Sequence, residues 1–303
     1  MSQVNGWVID PEEILSRAEG AFLGMAVGDA LGATVEFLTP SEIRDRYGVH
    51  REMVGGGWLR LRPGSVTDDT EMAIAMADAL IREGGWSLEA IADAFTSWLK
   101  GKPTDCGDTC RRGIRRYLLN GTIEAPPNQW DGGNGGVMRA LPAILYAWPD
   151  RVLMERCVVQ QARITHNHPL SDGGCIVIGR LLFLALAGHE KSRLYRETER
   201  LIAAYPPFAF TPYRGMATGY VVDTLQTVLF HFFSGKSFED CLVRTVNQGG
   251  DADTTGAICG MLAGAYYGPV GIPARWLRKM NGSLLEGIRR RARTLLSMAP
   301  SSA

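Results

Sequence analysis

The chain contains 303 residues, of which 46% are hydrophobic and 21% charged, a composition typical of a soluble globular enzyme with a substantial core. Lys plus Arg and Asp plus Glu are balanced at 32 each, which argues against nucleic acid or an anionic membrane as a partner. The six cysteines are scattered, without a Cys-x-x-Cys pair, which predicts free thiols in a reducing compartment rather than a disulfide framework.

The sequence contains no recognisable targeting or membrane signal. Residues 1–13 have neither the basic region nor the apolar region of a signal peptide. The longest apolar stretch, residues 176–188, is too short for a membrane span and is interrupted by Arg180. We therefore expect a cytoplasmic protein with no integral membrane segment.

Apolar residues recur with helical periodicity along most of the chain. The pattern predicts helices over residues 12–31, 137–147, 153–164, 172–187, 193–205 and 284–297, and apolar stripes predict two more within residues 88–99 and 221–232. Convincing strand alternation and solenoid-type repeats are missing. We therefore predict a single compact all-α domain over residues 1–303, with a core at about 14–298 and short flexible termini.

The first predicted helix contains three glycines at four-residue intervals, Gly24, Gly28 and Gly32. Each glycine costs about 1 kcal/mol relative to alanine in a helix interior, and close packing against another helix explains all three. Packing explains Asp29 and the following Glu36 less well. A carboxylate here, near bound metal ions, would orient a water molecule or hold a substrate.

Two distant segments share an arrangement of turn, carboxylate and hydroxyl residues before a predicted helix. Residues 63–71 pass from Pro-Gly into Thr-Asp-Asp-Thr-Glu, and residues 247–256 pass from Gly-Gly into Asp-Ala-Asp-Thr-Thr. Oxygen ligands at this density suit Mg²⁺ or Mn²⁺ and not Zn²⁺. Taken alone, either segment is explained as an ordinary helix N-terminus, where Asp complements the helix dipole. Because the arrangement occurs twice, we predict that the two helix starts face each other and share a pair of cations.

Three further stretches contain polar residues that helix packing does not explain. Asp105 and Asp108 precede an arginine-rich segment and would cap a helix with a solvated basic face. Residues 132–136, Gly-Gly-Asn-Gly-Gly, open a predicted helix and suit a phosphate, although many loops are glycine-rich. For His166 and His168 we favour a polar turn that ends a helix over metal ligation. A contact with ribose or phosphate is a third role.

Four long segments occur in the same order as in a known family. They are residues 28–37 (GDALGATVEF), 67–72 (TDDTEM), 162–170 (ARITHNHPL) and 245–256 (TVNQGGDADTTG). On these segments the sequence resembles the ADP-ribosylglycohydrolase family, over essentially the whole chain from Gly20 to about Arg291.

The resemblance implies an all-α fold of this type with a central dinuclear site for two divalent cations, Mn²⁺ or Mg²⁺. The metal ligands that it implies are Thr67, Asp68, Asp69, Asp251, Asp253 and Thr254. The catalytic residues that it implies are Asp105 as the acid, with Glu36 or Asp69 assisting the attacking water. The implied substrate-binding residues are Gly132, Gly133, Asn134, Gly135, Gly136, His166 and Tyr220. The chain departs from its nearest relatives at Asp108, where they carry Asn, and we place this residue with the substrate-binding group.

The activity implied by the resemblance is hydrolysis of the N-glycosidic bond that joins ADP-ribose to an arginine side chain of a protein. Modified nitrogenase iron protein is the implied substrate, and a PII signalling protein and regulated peripheral membrane association are implied means of control. We expect a monomer. Two alternatives stay open: the same fold and metals acting on ADP-ribosylserine or a free ADP-ribose derivative, and a non-catalytic ADP-ribose-binding protein. The carboxylate clusters are intact, which argues against the non-catalytic protein, because a member that loses catalysis should also lose metal ligands.

Overall fold

The computed structural model of the protein describes residues 2–4 and 7–298. Within these residues, two short strands precede fifteen α-helices. The strands are β1 (Ser2–Val4) and β2 (Trp7–Ile9). The helices are α1 (Pro11–Gly32), α2 (Pro40–Tyr47), α3 (Asp68–Glu83), α4 (Leu88–Lys100), α5 (Asp108–Asn120), α6 (Gly135–Met138), α7 (Leu141–Ala147), α8 (Arg151–Arg163), α9 (Pro169–Leu186), α10 (Lys191–Ala204), α11 (Val221–Ser234), α12 (Phe238–Val246), α13 (Ala252–Tyr267), α14 (Ala274–Leu277) and α15 (Gly282–Ser297). The prediction of an all-α domain is confirmed for residues 11–298. The predicted flexible ends include residues 1 and 299–303, which lie outside the described residues.

Two short strands precede the helices at the N-terminus. There β1 and β2 pair antiparallel, with Ser2 opposite Ile9 and Val4 opposite Trp7. Strands of three residues are too short to show alternation in a sequence. The signal that was available is the Asn-Gly dipeptide at positions 5 and 6, which is typical of a two-residue hairpin turn.

The centre of the domain is the antiparallel pair of α1 and α13, the most extensive helix contact in the described chain. A Cβ atom added at any of four glycines of α1 would lie between 2.0 and 2.4 Å from a backbone carbonyl oxygen of α13. The four glycines are Gly20, Gly24, Gly28 and Gly32, and their partners are Gly264, Gly260, Gly256 and Ala252 in that order. The prediction that these glycines serve close helix packing is confirmed. Because no side chain separates the two backbones, the register of one helix on the other is fixed.

The helix predicted over residues 137–147 is two helices in the structure. α6 ends at Met138, and α7 begins at Leu141 with Pro142 in its first turn. Proline has no N–H to donate to the carbonyl four residues earlier, which here belongs to Met138, the last residue of α6. The chain therefore bends at Arg139 and Ala140. Three helices that were not predicted, α2, α12 and α14, are also present.

One helix, α9, is long and apolar enough to cross a membrane by length and composition alone. In the structure it packs against α8, α10 and α13, and 72% of the relevant 18-residue window is buried within the protein. A buried core helix passes the same test of length and composition, and α9 is a buried core helix in this structure.

A buried histidine near the end of α11 gives the fold a predicted pH dependence. Neither ring nitrogen of His231 has a hydrogen-bond partner within the protein, and the ring contacts Tyr213 and Phe230 edge-on. Burial lowers the pKa of His231 to about 4, below the value of about 6.5 expected in the unfolded chain. The unfolded chain therefore binds a proton first as the pH falls, so stability is lost between about pH 6.5 and 4.

We expect His231→Phe to reduce the loss of stability on acidification. The replacement keeps the aromatic contacts and removes a titration worth up to about 3 kcal/mol over this range. Urea unfolding of both proteins at pH 7.5, 6 and 5 measures the effect, because the other titrating groups cancel in the comparison. Parallel losses of unfolding free energy in both proteins would contradict the prediction.

Candidate active site

A cavity of about 520 Å³ lies where α3, α5, α6 and α13 begin. Its lining combines acidic side chains with glycines and, among the described residues, includes neither lysine nor arginine. The predicted site residues that line it are Glu36, Asp68, Asp105, Asp108, Gly133, Asn134, Gly135, His166, Asp251, Asp253 and Thr254. Residues from both halves of the chain are thus brought together in one place.

Three carboxylates form a compact group in the cavity. One oxygen each of Glu36, Asp251 and Asp253 lies within 4.8 Å of the other two. Asp251 is the N-cap of α13 and accepts a hydrogen bond of 2.7 Å from the Nδ2 of Asn134. Asp253 lies in the first turn of α13, and its Oδ1 accepts the N–H of Thr254 at 2.9 Å. This spacing and donor set suit one hard cation.

The start of α3 lies beside this group. Asp68 lines the cavity, and its Oδ2 accepts the N–H of Gly107 at 3.1 Å. Asp69 lies deeper, where its Oδ2 accepts the hydroxyl of Thr67 at 3.1 Å and its Oδ1 is buried without a partner. An unpaired buried carboxylate oxygen is costly and calls for a ligand. The prediction that the two acidic helix starts face each other is confirmed in this arrangement.

Asp29 of α1 holds the start of α3 in place. Its carboxylate is fully buried and accepts the N–H and hydroxyl of Thr67, at 3.0 and 2.9 Å, and the N–H and hydroxyl of Thr70, at 3.2 and 2.5 Å. The N–H groups of a first helical turn lack intrahelical partners, and this side chain satisfies two of them. Asp29 therefore positions Thr67 and the two carboxylates that follow it.

We expect Asp29→Asn to destabilise the protein by about 2 kcal/mol and to weaken Mn²⁺ binding by about 10- to 100-fold. The amide of Asn places its own N–H group next to the N–H and hydroxyl groups of Thr67 and Thr70, which donate to the carboxylate of Asp29. The start of α3 therefore loses hydrogen bonds that hold it in place. Urea unfolding and Mn²⁺ titration by EPR measure the two effects. Asp93→Asn is the control, because Asp93 is exposed and accepts one hydroxyl, from Tyr117. Equal behaviour of the two variants would contradict the role of Asp29.

Burial raises the pKa values of the carboxyl groups in the cavity, and nearby carboxylates raise them further. The pKa is about 8 for Glu36 and about 7 for Asp68, and it is well above the ordinary value for Asp69 and Asp253. Ionised carboxylates this close together repel one another in a medium of low polarity. A bound cation would offset the repulsion, so the site fits a metal ion on electrostatic grounds.

The donor set also fits a hard divalent cation. The candidate ligands are carboxylate and hydroxyl oxygens, which suit Mg²⁺ and Mn²⁺, and the Oδ1 of Asp69 is without a protein partner. In the part of the chain that the structure describes, one group of His, Cys, Asp or Glu residues has the spacing of a metal site, namely Glu36, Asp251 and Asp253. The structure thus supports an acidic metal-binding cluster.

Asp105 and Asp108 lie at the start of α5. Neither caps the helix as predicted, because the N-cap is Gly107 and no side chain satisfies the first turn. Asp105 is half-buried, and its Oδ1 accepts the N–H of Cys106 at 2.7 Å. Burial raises the pKa of Asp105, and the charge of Asp251 raises it further. Asp108 is exposed at the cavity edge.

The glycine-rich segment forms one wall of the cavity. Its backbone pairs with the residues before α11, through the bonds from Asn134 N–H to the Gly219 carbonyl at 3.1 Å and from Val221 N–H to the Gly132 carbonyl at 3.0 Å. A Cβ atom at Gly132 would lie 3.2 Å from the ring of exposed Tyr220, and neither of these two predicted residues is part of the cavity lining. The structure places Gly136 behind the wall, where a Cβ atom would meet Ala162 at 2.7 Å and Ser171 at 3.2 Å.

The two histidines have different positions. His168 is the N-cap of α9, and its Nδ1 accepts the N–H of Leu170 at 3.1 Å, so it begins a helix and does not end one as we expected. His166 lines the cavity, and its Nδ1 is 2.7 Å from the hydroxyl of Thr165, which accepts a hydrogen bond from buried Arg139 at 2.8 Å. Burial lowers the pKa of His166 to about 3, so its ring is neutral at physiological pH.

Trp58 is a site residue that was not predicted. Its indole N–H donates to the Oε2 of Glu36 at 2.5 Å. The available signal was the run of three glycines at positions 55–57, which indicates a tight turn next to a tryptophan. It does not indicate which residue the tryptophan contacts. Asp29 was noticed in the sequence, but its role as the anchor of α3 was not.

Comparisons with known proteins identify the family of the chain. The family model for ADP-ribosylglycohydrolases matches residues 10–301. The chain is 52% identical to an ADP-ribosyl-[dinitrogen reductase] glycohydrolase of Rhodospirillum rubrum, over 93% of this chain and 96% of that protein. It is 32% identical to the ADP-ribosylarginine hydrolase Tri1 of Pseudomonas putida, over 98% of this chain and 82% of that one. A solved structure described as an ADP-ribosylglycohydrolase-related protein complex superposes with a TM-score of 0.84 at 36% identity, covering 95% of this chain and 99% of that chain. The chain belongs to the ADP-ribosylglycohydrolase family.

Proposed function

We propose that the protein hydrolyses the N-glycosidic bond between ADP-ribose and an arginine side chain of a modified protein. The observation that carries this proposal is the meeting of two acidic helix starts, Glu36 and the glycine-rich wall in one cavity of about 520 Å³. The names of the two relatives, which specify dinitrogen reductase and ADP-ribosylarginine, support it.

We propose that two divalent cations, Mn²⁺ or Mg²⁺, occupy the acidic end of the cavity. The residues that would hold them are Thr67, Asp68, Asp69, Asp251, Asp253 and Thr254. The unpaired Oδ1 of Asp69 and the close spacing of Asp251 and Asp253 support this assignment. Cations in this place would supply Lewis-acid polarisation of the sugar and binding of its hydroxyl groups.

Asp105 is the proposed general acid. A guanidine is a poor leaving group unless it receives a proton as the bond to the sugar breaks. The Oδ1 of Asp105 accepts the N–H of Cys106, which leaves Oδ2 to carry the proton. The raised pKa of this carboxyl favours the protonated form. Glu36, with a pKa of about 8, and buried Asp69 are the groups proposed to take the proton from the attacking water.

The glycine-rich wall and the rim next to it are proposed to hold the ADP part of the substrate. Residues 132–136 and Tyr220 would contact the phosphates and the adenine, and neutral His166 would donate or accept a hydrogen bond without adding charge. Because the lining described here carries no lysine or arginine, backbone N–H groups and bound cations must balance the charge of a diphosphate. Asp108 at the rim is proposed to contact the guanidinium side of the substrate.

The protein substrate that we propose is modified nitrogenase iron protein, on the basis of the name of the Rhodospirillum rubrum relative. Control by a PII signalling protein, peripheral membrane association and a monomeric state stay predictions. The single-domain boundaries at residues 1–303 stay a prediction as well.

The test is release of ADP-ribose from an ADP-ribosylarginine peptide, with Mn²⁺ and with EDTA, beside an ADP-ribosylserine peptide. Release from the arginine peptide that requires Mn²⁺ supports the proposal. Release from the serine peptide alone would reassign the acceptor. No release from either peptide, with Mn²⁺ binding demonstrated by EPR, would contradict the proposed hydrolase activity and favour an ADP-ribose-binding protein.

A further inference from the structure

The carboxylate of Glu36 lies where repulsion should push it away. It is within 4.8 Å of the carboxylates of Asp251 and Asp253, and like charges at this distance destabilise the ionised group. The backbone at this point is tightly held, because the N–H of Phe37 donates to the Gly250 carbonyl at 2.6 Å and the N–H of Gly250 donates to the Leu38 carbonyl at 2.9 Å. The side chain has three further torsions that these bonds do not restrict.

Trp58 supplies the restraint that the backbone does not. Its indole N–H donates to the Oε2 of Glu36 at 2.5 Å. An indole N–H is a donor only and does not titrate, so it favours a carboxylate oxygen in this position at any working pH. The ring also packs against Phe37, with ring centroids 5.4 Å apart.

The turn that carries Trp58 is fixed on both sides. Gly56 and Leu61 exchange two backbone hydrogen bonds, of 2.8 and 2.9 Å. Gly57 has a φ of 69°, and a Cβ atom there would lie 2.3 Å from the carbonyl oxygen of Ala33, just after α1. The turn is therefore in backbone contact with the segment that leads to Glu36, so the backbone of Trp58 is held in place relative to that of Glu36.

The ring environments of Trp58 and Phe37 are unusual for residues with a purely structural role. Trp58 is 52% exposed and Phe37 is 64% exposed, so neither ring contributes much to the core. Phe37 also has a φ of 62°, a conformation that is unfavourable for a residue other than glycine. An exposed ring on strained backbone in the cavity lining, as at Phe37, indicates a role at the site.

We propose that Trp58 is a positioning residue that holds the Glu36 carboxylate in the cavity against the repulsion of Asp251 and Asp253. This inference rests on the proposed function for the part that Glu36 plays in hydrolysis. Trp58 acts through Glu36 and does not itself contact the reacting atoms.

The experiment compares Trp58→Phe, Glu36→Gln and the double variant. Trp58→Phe keeps a ring for the contact with Phe37 and removes the N–H. We expect it to lower kcat for ADP-ribosylarginine by about 10- to 100-fold, the usual effect of losing a partner that orients a site ligand, with KM changed by less than about threefold. In the Glu36→Gln background the same replacement should change kcat by less than about twofold, because the carboxylate that it positions is already gone.

The structure offers a matched control. The indole N–H of Trp98 donates to the Oε2 of Glu71 at 2.8 Å, and neither residue lines the cavity. Trp98→Phe therefore removes an equivalent bond elsewhere, and we expect kcat to stay within about twofold of the wild-type value. Circular dichroism and the melting temperature of each variant establish that it is folded.

The same set of variants is titrated with Mn²⁺ by EPR in the absence of substrate, which gives a readout independent of activity. We expect Trp58→Phe and Glu36→Gln to weaken binding by similar factors that do not multiply in the double variant. A folded Trp58→Phe protein with kcat and Mn²⁺ affinity within twofold of wild type would contradict the proposal, as would multiplicative effects. A wild-type protein that binds Mn²⁺ without releasing ADP-ribose contradicts the proposed function instead, and the Mn²⁺ titrations then decide the role of Trp58.

Discussion

Asp253→Asn is expected to stabilise the metal-free protein while abolishing its response to Mn²⁺. The carboxylate of Asp253 is buried near Asp69, Asp251 and Glu36, and burial followed by the charge of Asp69 raises its pKa well above the ordinary value. Asn has nearly the same shape and keeps an oxygen for the N–H of Thr254. In the metal-free protein the replacement removes a buried carboxylate that destabilises the fold. In the presence of Mn²⁺ it removes an oxygen ligand that the ion needs.

The sign of the pH dependence follows from the raised pKa values. A carboxyl group whose pKa is raised by folding stabilises the folded state below about pH 4, and this stability is lost as the pH rises through the folded-state value. For the cavity that range extends to about 7 at Asp68 and about 8 at Glu36. The melting temperature of the metal-free protein should therefore fall between pH 5 and 8, and that of Asp253→Asn should fall less.

Differential scanning fluorimetry with EDTA and with Mn²⁺ measures both effects. Mn²⁺ at one hundred times its dissociation constant should stabilise the wild type by about 2.7 kcal/mol, and the variant should show no shift. Asp78→Asn is the control, because this carboxylate is half-exposed and pairs with Arg291 on the surface. It should retain the full Mn²⁺ response. A variant at position 253 that melts lower than wild type in EDTA and still responds to Mn²⁺ would refute the proposed ligand.

Gly28→Ala is expected to cause the largest loss of stability of any single methyl addition to α1. The added Cβ would lie 2.0 Å from the carbonyl oxygen of Gly256 and 2.4 Å from its carbonyl carbon. These are backbone atoms within a helix, so the two helices must separate, at a cost of about 3 kcal/mol or more. Asp29 is the next residue and Asp253 is three residues before Gly256, so Mn²⁺ affinity should fall as well.

Urea unfolding and Mn²⁺ titration of Gly28→Ala test this expectation against Gly282→Ala. Nothing lies within 4 Å of a Cβ atom at Gly282, the first residue of α15. Alanine there should be neutral or slightly stabilising, because it has the higher helix propensity. Equal unfolding free energies for the two variants would show that α1 and α13 can move apart without cost.

The sequence was sufficient to predict the parts of the site that depend on local order. Asp68 and Asp253 each follow a turn and precede an apolar helix, so the neighbouring residues predict that both lie at a helix start. That the two starts meet was inferred because the same arrangement occurs twice. Glu36 was noticed because helix packing does not explain a carboxylate there. The place of Asp105 in the site came from the resemblance to a family, since its local pattern predicted only a helix cap.

The parts that could not be predicted depend on contacts between distant segments. The bond between Trp58 and Glu36 requires the turn at residues 55–57 to lie on the end of α1, which no periodicity encodes. The anchoring of α3 by Asp29 likewise joins residues that lie far apart in the sequence. The break between α6 and α7 was local and could have been predicted from Pro142. The hairpin at the N-terminus could have been predicted from its Asn-Gly dipeptide.

The backbone contact between α1 and α13 fixes the position of the acidic group at the start of α13. A slip of one helical turn would move α13 by about 5.4 Å, more than the 4.8 Å that spans the group of Glu36, Asp251 and Asp253, so the metal-binding geometry tolerates no alternative register. Thr218 and Gly219, in contrast, line the cavity from a segment without regular structure before α11. This segment is also bound to the acidic group, because the carbonyl of Ala217 accepts the N–H of Asp251 at 2.7 Å. Exchanging residues 209–219 between relatives should therefore change Mn²⁺ affinity together with the preference for an acceptor side chain.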